Sequence, residues 1–539
     1  PVSDLVGSQY PRVSTPTKVD ELVVAKLRKL GIVPSLDADD LTFLRRLSLD
    51  MTGTLPSPEE IREFLADASP DKRAAKIEAF LETPAFAAWW TTKLCDWTGN
   101  NGSQLVNVAV DQNATRDWYD WIYERVNRNA PYDEIVEGIV LGTSRQGSES
   151  YRDYCNAMGK IYKKDSDHSM ADRETLPYFW ARRNFRTPEE RVIGFSYSFL
   201  GIRIQCAQCH KHPFDKWTKE DFADFRGFFS PIVYNQRGSD RKTYDKMLAD
   251  LKIDPKEVNG GQLRRELVKK LKNGEVIPFP EVYVDMRRLQ RGPRSAKGKI
   301  LAAKGKILGE EEVELADYKD PRIALVDWMK SPENPYFAKA LVNRVWAAYF
   351  GRGIVEPPDD LNLANPPSNA PLLEYLSQEF VKHEFDMKWL HRTICNSATY
   401  QRDWRPNKTN SLDQKHFSHA IPRRLDAEQV YDAVLAATTD RKRNFELRDH
   451  LDGRAIAHPG PGRNARDPLS FTLTVFGRSI RESNCDCDRS ADPNLLQTVF
   501  LQNDQNMLAM IERGGWVNEL TGRKTRSRNG PSPAAIAAA

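Results

Sequence analysis

The chain is 539 residues long, with 29% charged residues, 40% hydrophobic ones and a formal net charge of +4. That length exceeds what one hydrophobic core usually spans, so two or three domains are expected, none of which needs disulfides or metals simply to fold. The nearly balanced charge gives no general case for nucleic acid, and no apolar run approaches the roughly 18 residues that a bilayer span requires. The chain begins PVSDLVGSQYPRVST, so any secretory leader is expected to have been removed or to lie outside the sequence.

After an N-terminal extension over 1–16, residues 17–234 read as a helical domain. In LPSPEEIREFL, Ser57 can N-cap a helix, Pro58 takes its first position and Glu60 stands where a capping-box carboxylate belongs. Ser69-Pro70-Asp71, Thr83-Pro84 and Thr187-Pro188-Glu189-Glu190 repeat the device, predicting helices over 58–67, 70–82, 84–97 and 188–200. Leu41, Leu44 and Leu47, then Ile61, Phe64 and Leu65, carry helix-period apolar spacing. Residues 235–318 are rich in Lys, Arg and Gly and offer Val282-Tyr283-Val284 as a short strand, so a connecting region with minor β structure is expected. Helices resume in RIALVDWM, FAKALVNRVWAAYF, PLLEYLSQEFVKH and MKWLHRTICNSATY, giving a second helical domain over 319–512. The remainder, 513–539, includes RKTRSRNGPSPAAIAAA and reads as an extended or disordered tail. The expected fold is mainly α: two helical domains joined by a basic, Gly-containing connection.

Chemistry concentrates in residues 206–217, CAQCHKHPFDKW. With seven Cys and nine His in the whole chain, chance is a poor explanation for CxxCH. In c-type haem attachment Cys206 and Cys209 bond the porphyrin edge and His210 takes the iron as proximal ligand. Phe195, Tyr197, Phe199, Phe214, Trp217, Phe222, Phe225, Phe228 and Phe229 could wall such a cofactor or could be ordinary core. The sixth ligand is not identifiable; Met158, Met170 and His168 stand at plausible loop distances. His212 is too close in sequence to reach the opposite face of the same haem, and suits a propionate contact, a supporting hydrogen bond or a ligand's place in a different kind of site; Asp215 can orient it, cap a helix or pair with a lysine.

A rival site joins Cys206 and Cys209 to Cys485 and Cys487 of CDCDR as a tetrahedral thiolate centre for zinc or iron. The CxC pair could equally be a strained disulfide or two structural thiols. Cys95, Cys155 and Cys395 stand alone on helical stretches and read as small buried hydrophobes. Asn343, Arg344, Arg352, Arg423, Arg424, Arg478 and Arg481 are expected to hold helices together through carboxylates such as Asp327 or Asp426, with haem propionates or an anionic ligand as the alternative. No GxSxG, HExxH or phosphate-binding loop is present, so hydrolase and nucleotide chemistry have no motif support.

LTFLRRLSLDMTGTLPSPEEIREFLAD, FLGIRIQCAQCHKHPFDKWTKEDF, SPENPYFAKALVNRVWAAYFGRGIVEPPDD, NPPSNAPLLEYLSQEF and FGRSIRESNCDCDRSADPNLLQTVFLQND follow one another over roughly residues 17 to 510. On these the chain resembles the planctomycete-type cytochrome c proteins of unknown function, with an N-terminal cytochrome-like domain and a planctomycete-specific C-terminal domain. The resemblance implies an exported protein, periplasmic or at the cell surface, with one covalent haem c on Cys206 and Cys209, His210 as axial ligand and a redox partner protein. It supplies no reaction. Electron transfer is the leading expectation; the alternatives are a non-haem structural or binding protein, with a zinc or iron site or disulfides, and a haem peroxidase or oxidase. Assembly into a homo-oligomer or a larger complex is left open, and a lone CxxCH makes a multihaem wire within one chain unexpected.

Overall fold

The computed structural model describes residues 9–105, 114–291, 304–440, 448–461, 468–484, 488–490 and 492–516. The chain is mainly α, with two small two-stranded sheets. It opens with five helices: α1 (Lys18–Leu30), α2 (Asp40–Thr52), α3 (Pro58–Ala66), α4 (Lys72–Leu81) and α5 (Pro84–Thr98). Ser57 and Thr83 accept the backbone N–H of Glu60 and Phe86 as N-caps, each with proline in the first turn, so those start signals are realised.

Two expectations fail locally. Glu60 does not close a capping box; its carboxylate takes Lys76 at 3.3 Å and Arg448 at 2.6 Å, because a partly buried acid gains more from two cations than from one backbone N–H. Ser69 does not cap α4, whose N-cap is Asp71 with no side-chain bond; Ser69 N–H instead donates to Asp67 in the preceding loop. Leu41 and Leu65 face solvent, leaving Phe43, Leu44, Leu47 and Phe64 to the core.

Helix α5 is buried on every side, carrying Trp89, Trp90, Trp97 and Cys95 into the centre of the molecule. A helix apolar all round belongs inside a large core. It packs on α6 (Ala114–Asn127) and α2, and against the short turn Ala455–Ala457 from the other end of the sequence. Between α6 and α10 stand α7 (Tyr132–Val140), α8 (Tyr151–Tyr162) and the short α9 (Tyr178–Ala181). Cys155 on α8 is buried in the same core. The segment itself lies between α10 (Pro188–Phe195) and α11 (Lys219–Arg226).

The connecting region is more structured than its composition suggests. Strand β1 (Ile232–Asn235) pairs antiparallel with β2 (Glu281–Val284), in the register Ile232 to Val284, which contains the predicted strand. Between them stand α12 (Arg241–Asp250) and α13 (Gly260–Lys272), which were not predicted. Leu263, Leu267, Val268 and Leu271 give α13 one apolar face among its lysines and arginines, and that face rests on the main core. A hairpin of β3 (Lys304–Lys306) and β4 (Glu312–Glu314) closes the region.

The C-terminal half comprises α14 (Arg322–Lys330), α15 (Phe337–Phe350), α16 (Ala370–Lys382), α17 (Met387–Cys395), α18 (Ala398–Gln401), α19 (Ala427–Thr438), α20 (Pro468–Val475), α21 (Leu495–Asn503) and α22 (Gln505–Gly514). The helical stretches on either side of the connection meet on one continuous apolar core running from Val19 to Ile456. The interlock is polar as well. Asp20 of α1 accepts from the Thr399 N–H and hydroxyl, both at 2.7 Å, so an acid near residue 20 caps α18. Asn369 donates to the Leu22 carbonyl at 3.1 Å. Among the described residues no helix is long and apolar enough to cross a membrane.

Candidate functional site

Helix α10 starts in a reciprocal capping box between Thr187 and Glu190, as its TPEE sequence requires. It does not run straight to residue 200: after Phe195 the backbone widens into a π turn, Ser196–Leu200, ended by Gly201 at φ 62°. A Cβ at that left-handed position would also lie 3.1 Å from the Ala340 Cβ, so glycine is needed twice over. A short 3-10 turn, Ile204–Gln208, then carries the motif.

On this turn Ala207 is buried, Cys206 is half-buried, and Cys209 and His210 are exposed. Both cysteines are free thiols. The Cys209 and His210 N–H groups donate to the Cys206 carbonyl at 3.4 Å, which keeps the three side chains on one compact turn. His210 Nδ1 lies 2.7 Å from the Lys211 carbonyl and donates there, so in the neutral ring Nε2 is the nitrogen with the lone pair, and no described residue is bonded to it. This is how a metal-ligating histidine is commonly oriented.

His212 plays a different part. It is buried, its Nδ1 accepts from the Phe214 N–H at 3.2 Å, and its Nε2 therefore carries the proton donated to the Arg203 carbonyl at 2.8 Å. Its own N–H donates to the Trp217 carbonyl at 2.8 Å. With both ring nitrogens engaged, His212 pins the loop after the cysteines. Asp215 accepts from the Lys216 N–H at 2.7 Å, within its own turn.

The C-terminal half supports this segment from behind. Arg203 pairs at 2.7 Å with Asp359, which is fully buried, and the Leu361 N–H donates to the Gly201 carbonyl at 2.8 Å. Arg344 donates to the Ser198 and Tyr197 carbonyls, both at 2.6 Å, satisfying carbonyls at the π turn. Asp359 and Arg203 were not singled out from the sequence; the paired acids of PPDD, in the loop after α15, were the available signal.

The aromatic stripe is core. Phe195, Phe199, Phe222, Phe225, Phe228, Phe229 and Trp217 are buried, with Phe195 packed 5.2 Å from Phe229 and 5.6 Å from Phe199. Phe214, 62% exposed, points outward, its ring 6.4 Å from that of His212. Met158 and Met170 are buried in the main core, and His168 is exposed beside Asp167. Cys485 and Cys487, the basic tail beyond 516 and most of the Lys/Gly run at 292–303 lie outside the described residues. Among the described residues no three His, Cys, Asp or Glu side chains gather where a metal ion could sit. Cys206, Cys209 and His210 thus do not converge on one point as a bare ion would need. Haem attachment makes no such demand, because thiols bond the macrocycle edge while imidazole takes the iron; the donor set fits that group.

The second motif-rich stretch, FGRSIRESN, is a buried polar hub. Asp96 of α5 accepts from Arg481 at 2.7 Å and from Arg489 at 2.6 Å, and Arg489 also bonds Glu428 at 2.8 Å. Burial raises the Asp96 carboxyl, but Arg489, Arg481 and Lys93 outweigh it and hold it below the usual range. Lys93 pairs with Asp426 at 2.7 Å, and Arg423 with Asp50. Asn484, at φ 60°, bonds Arg182, the Trp97 carbonyl and Ser198, tying the hub to the π turn. Asp426 is therefore paired, but with Lys93 rather than with one of the arginines expected to hold it, and Asp327 is exposed.

Residues 18–234 match the family model described as PSCyt2, protein of unknown function (DUF1549), and residues 321–523 match PSD1, protein of unknown function (DUF1553). No curated protein and no solved structure matches the chain. In order along the sequence, then, the molecule joins a PSCyt2-like segment bearing the CxxCH turn to a PSD1-like segment, the two sharing the buried hub, under a cytochrome-like family name that leaves function open.

Proposed function

We propose that the chain is an exported, c-type cytochrome-like protein with one covalently attached haem, working in electron transfer. The observation that carries the reading is the CxxCH turn itself: two free thiols, Cys206 half-buried and Cys209 exposed, and an exposed histidine whose Nδ1 is committed to a carbonyl. Bound there, haem would supply reversible one-electron exchange. Cys206 and Cys209 would hold its edge and His210 its iron. The Lys211 carbonyl fixes the imidazole tautomer, and His212 holds the following loop so that Phe214 stands out as the aromatic available to cover the group. Exposure of Cys209 and His210 would let a partner protein approach closely, which electron transfer needs.

A second reading, a non-haem binding protein with a free dithiol, is favoured by one observation: the aromatic side chains that could wall a macrocycle are turned into the core. An absorption spectrum of the full chain purified from its native host separates the two. The expected result is a Soret band that survives acid-acetone extraction, with intact mass raised by one haem. A colourless protein with a Cys206–Cys209 disulfide or bound zinc overturns it.

A further inference from the structure

Residues 235–318 hold 19 of the chain's 79 lysines and arginines against 14 of its 75 acids, so their excess of five cations is larger than the net charge of +4 on the whole chain. Part of that excess is laid out on α13 in a way the fold itself does not use. Arg265, Lys269 and Lys272 are exposed and follow one another at i, i+4 and i+7, which sets them in one row over about 10 Å of helix. Lys270, on the flank of the same helix, has its acid in Glu275 at 3.2 Å. Among the described residues no carboxylate pairs with Arg265, Lys269 or Lys272. Glu266, the one acid of α13, stands about 100° round the axis from Arg265 and so lies off the row.

The row is held in place from behind. Leu263, Leu267, Val268 and Leu271 fasten the apolar face of α13 to the core, Asn259 caps its start by accepting the Gly261 and Gln262 N–H groups, and Gly274, at φ 84°, turns the chain away after its end. Lysines in the last turn suit the helix dipole, but the dipole does not account for Arg265, which stands in the middle of the helix. Like charges at i, i+4 and i, i+3 repel, so the row costs α13 stability on its own, and carboxylates arriving from outside turn the same spacing into attraction. A bilayer is the poorer partner: among the described residues none of the large apolar side chains that reach solvent belongs to α13, so nothing on this face would enter the acyl layer. A protein can seat a carboxylate bidentately on the Arg265 fork. We propose that the outer face of α13 is a docking surface for an acidic protein partner, which presents carboxylates to Arg265, Lys269 and Lys272. The surface stands independently of haem attachment.

The test uses fluorescently labelled poly-L-glutamate as the acidic probe, titrated with the full chain at neutral pH in about 0.02 M and about 0.15 M salt and read by anisotropy. Saturable binding is expected, weaker by about tenfold at the higher salt. Arg265→Gln, Lys269→Gln and Lys272→Gln combined should weaken low-salt binding by about tenfold or more. Lys29→Gln, Lys164→Gln and Lys408→Gln combined remove the same charge from exposed positions on other elements and should leave binding within about twofold of wild type. No saturable binding by the wild type, undiminished binding by the α13 variant, or equal weakening by the two triple variants overturns the proposal. Binding to phosphatidylserine vesicles in place of polyglutamate also overturns it and assigns the face to a lipid surface. Glutamine favours helix at exposed positions, so the α13 variant should fold; if it does not, undiminished binding by Lys269→Glu overturns the proposal.

Discussion

The CxxCH turn and the Asp96 hub spend polar side chains in opposite ways. Around Cys206, Cys209 and His210 the reactive groups face water on a turn held mainly by backbone bonds, and the rigid supports, His212 and the Arg203–Asp359 pair, stand one layer behind. In the hub, guanidiniums and carboxylates are sealed in the core and engage one another directly. Surface chemistry can be removed with little cost to the fold, whereas breaking one member of a buried ion cluster strands its partners. The contrast predicts graded effects.

The largest belongs to the hub. Asp96→Ala leaves Arg481 and Arg489 without their shared acid and should cost about 3–5 kcal/mol in chemical denaturation, with Arg481→Ala in the same range. A loss below about 1 kcal/mol would mean that the cluster is wetter than its burial implies.

Acid should reveal a second buried group. His391 of α17, packed against Trp90 and bonded to Tyr349 at 2.8 Å, has its pKa pushed down to about 3 by burial. Its folded pKa lies below the unfolded one near 6.5, so the neutral ring's contribution is complete above about pH 6.5. It is then lost by about 1.4 kcal/mol per pH unit as pH falls toward 3. Denaturation curves between pH 7 and pH 5 should show that slope in the wild type and a shallower one in His391→Gln.

At the turn itself the effects shrink. His212→Ala removes the ring bonds to Arg203 and Phe214 and should cost about 1–2 kcal/mol, with faster hydrogen exchange at the Phe214 amide as its local signature. Smallest of all, Cys209→Ser should leave apoprotein stability within about 0.5 kcal/mol of wild type while covalent haem, measured by intact mass, is lost. If Cys209→Ser instead unfolds the chain, the thiol is structural and the contrast between the two regions collapses.

Much of the fold was legible because helix starts are local. Ser57-Pro58, Thr83-Pro84 and Thr187-Pro188 placed their helices to within a residue or two at the start, since a capping hydroxyl and a proline act within one turn. Glu60 was misread because its partners Lys76 and Arg448 are distant in sequence, and local spacing cannot weigh them. Helix α13 was missed because its lysines and arginines masked four apolar positions on one face. At the site, CxxCH stood out by rarity, yet nothing local distinguished His210, with Nε2 open, from His212, with both nitrogens bonded. That difference depends on a carbonyl nine residues upstream of His212 and on the loop back from Trp217. The hub was visible only as scattered arginines, because Asp96 lies 385 residues from Arg481.

The cap that Asp20 provides for α18, 379 residues away, has a consequence for biosynthesis. At about 5–20 residues per second, a ribosome needs roughly 20–75 s after making α1 to deliver the segment on which that helix closes. Until then Val19, Val23 and Leu27 lack their final cover, so the nascent chain spends that interval with a sticky apolar stripe in view of holdase chaperones. Shortening it by circular permutation, with new ends in a loop of the 235–318 region so that α1 follows α18 after fewer residues, should raise the yield of native protein.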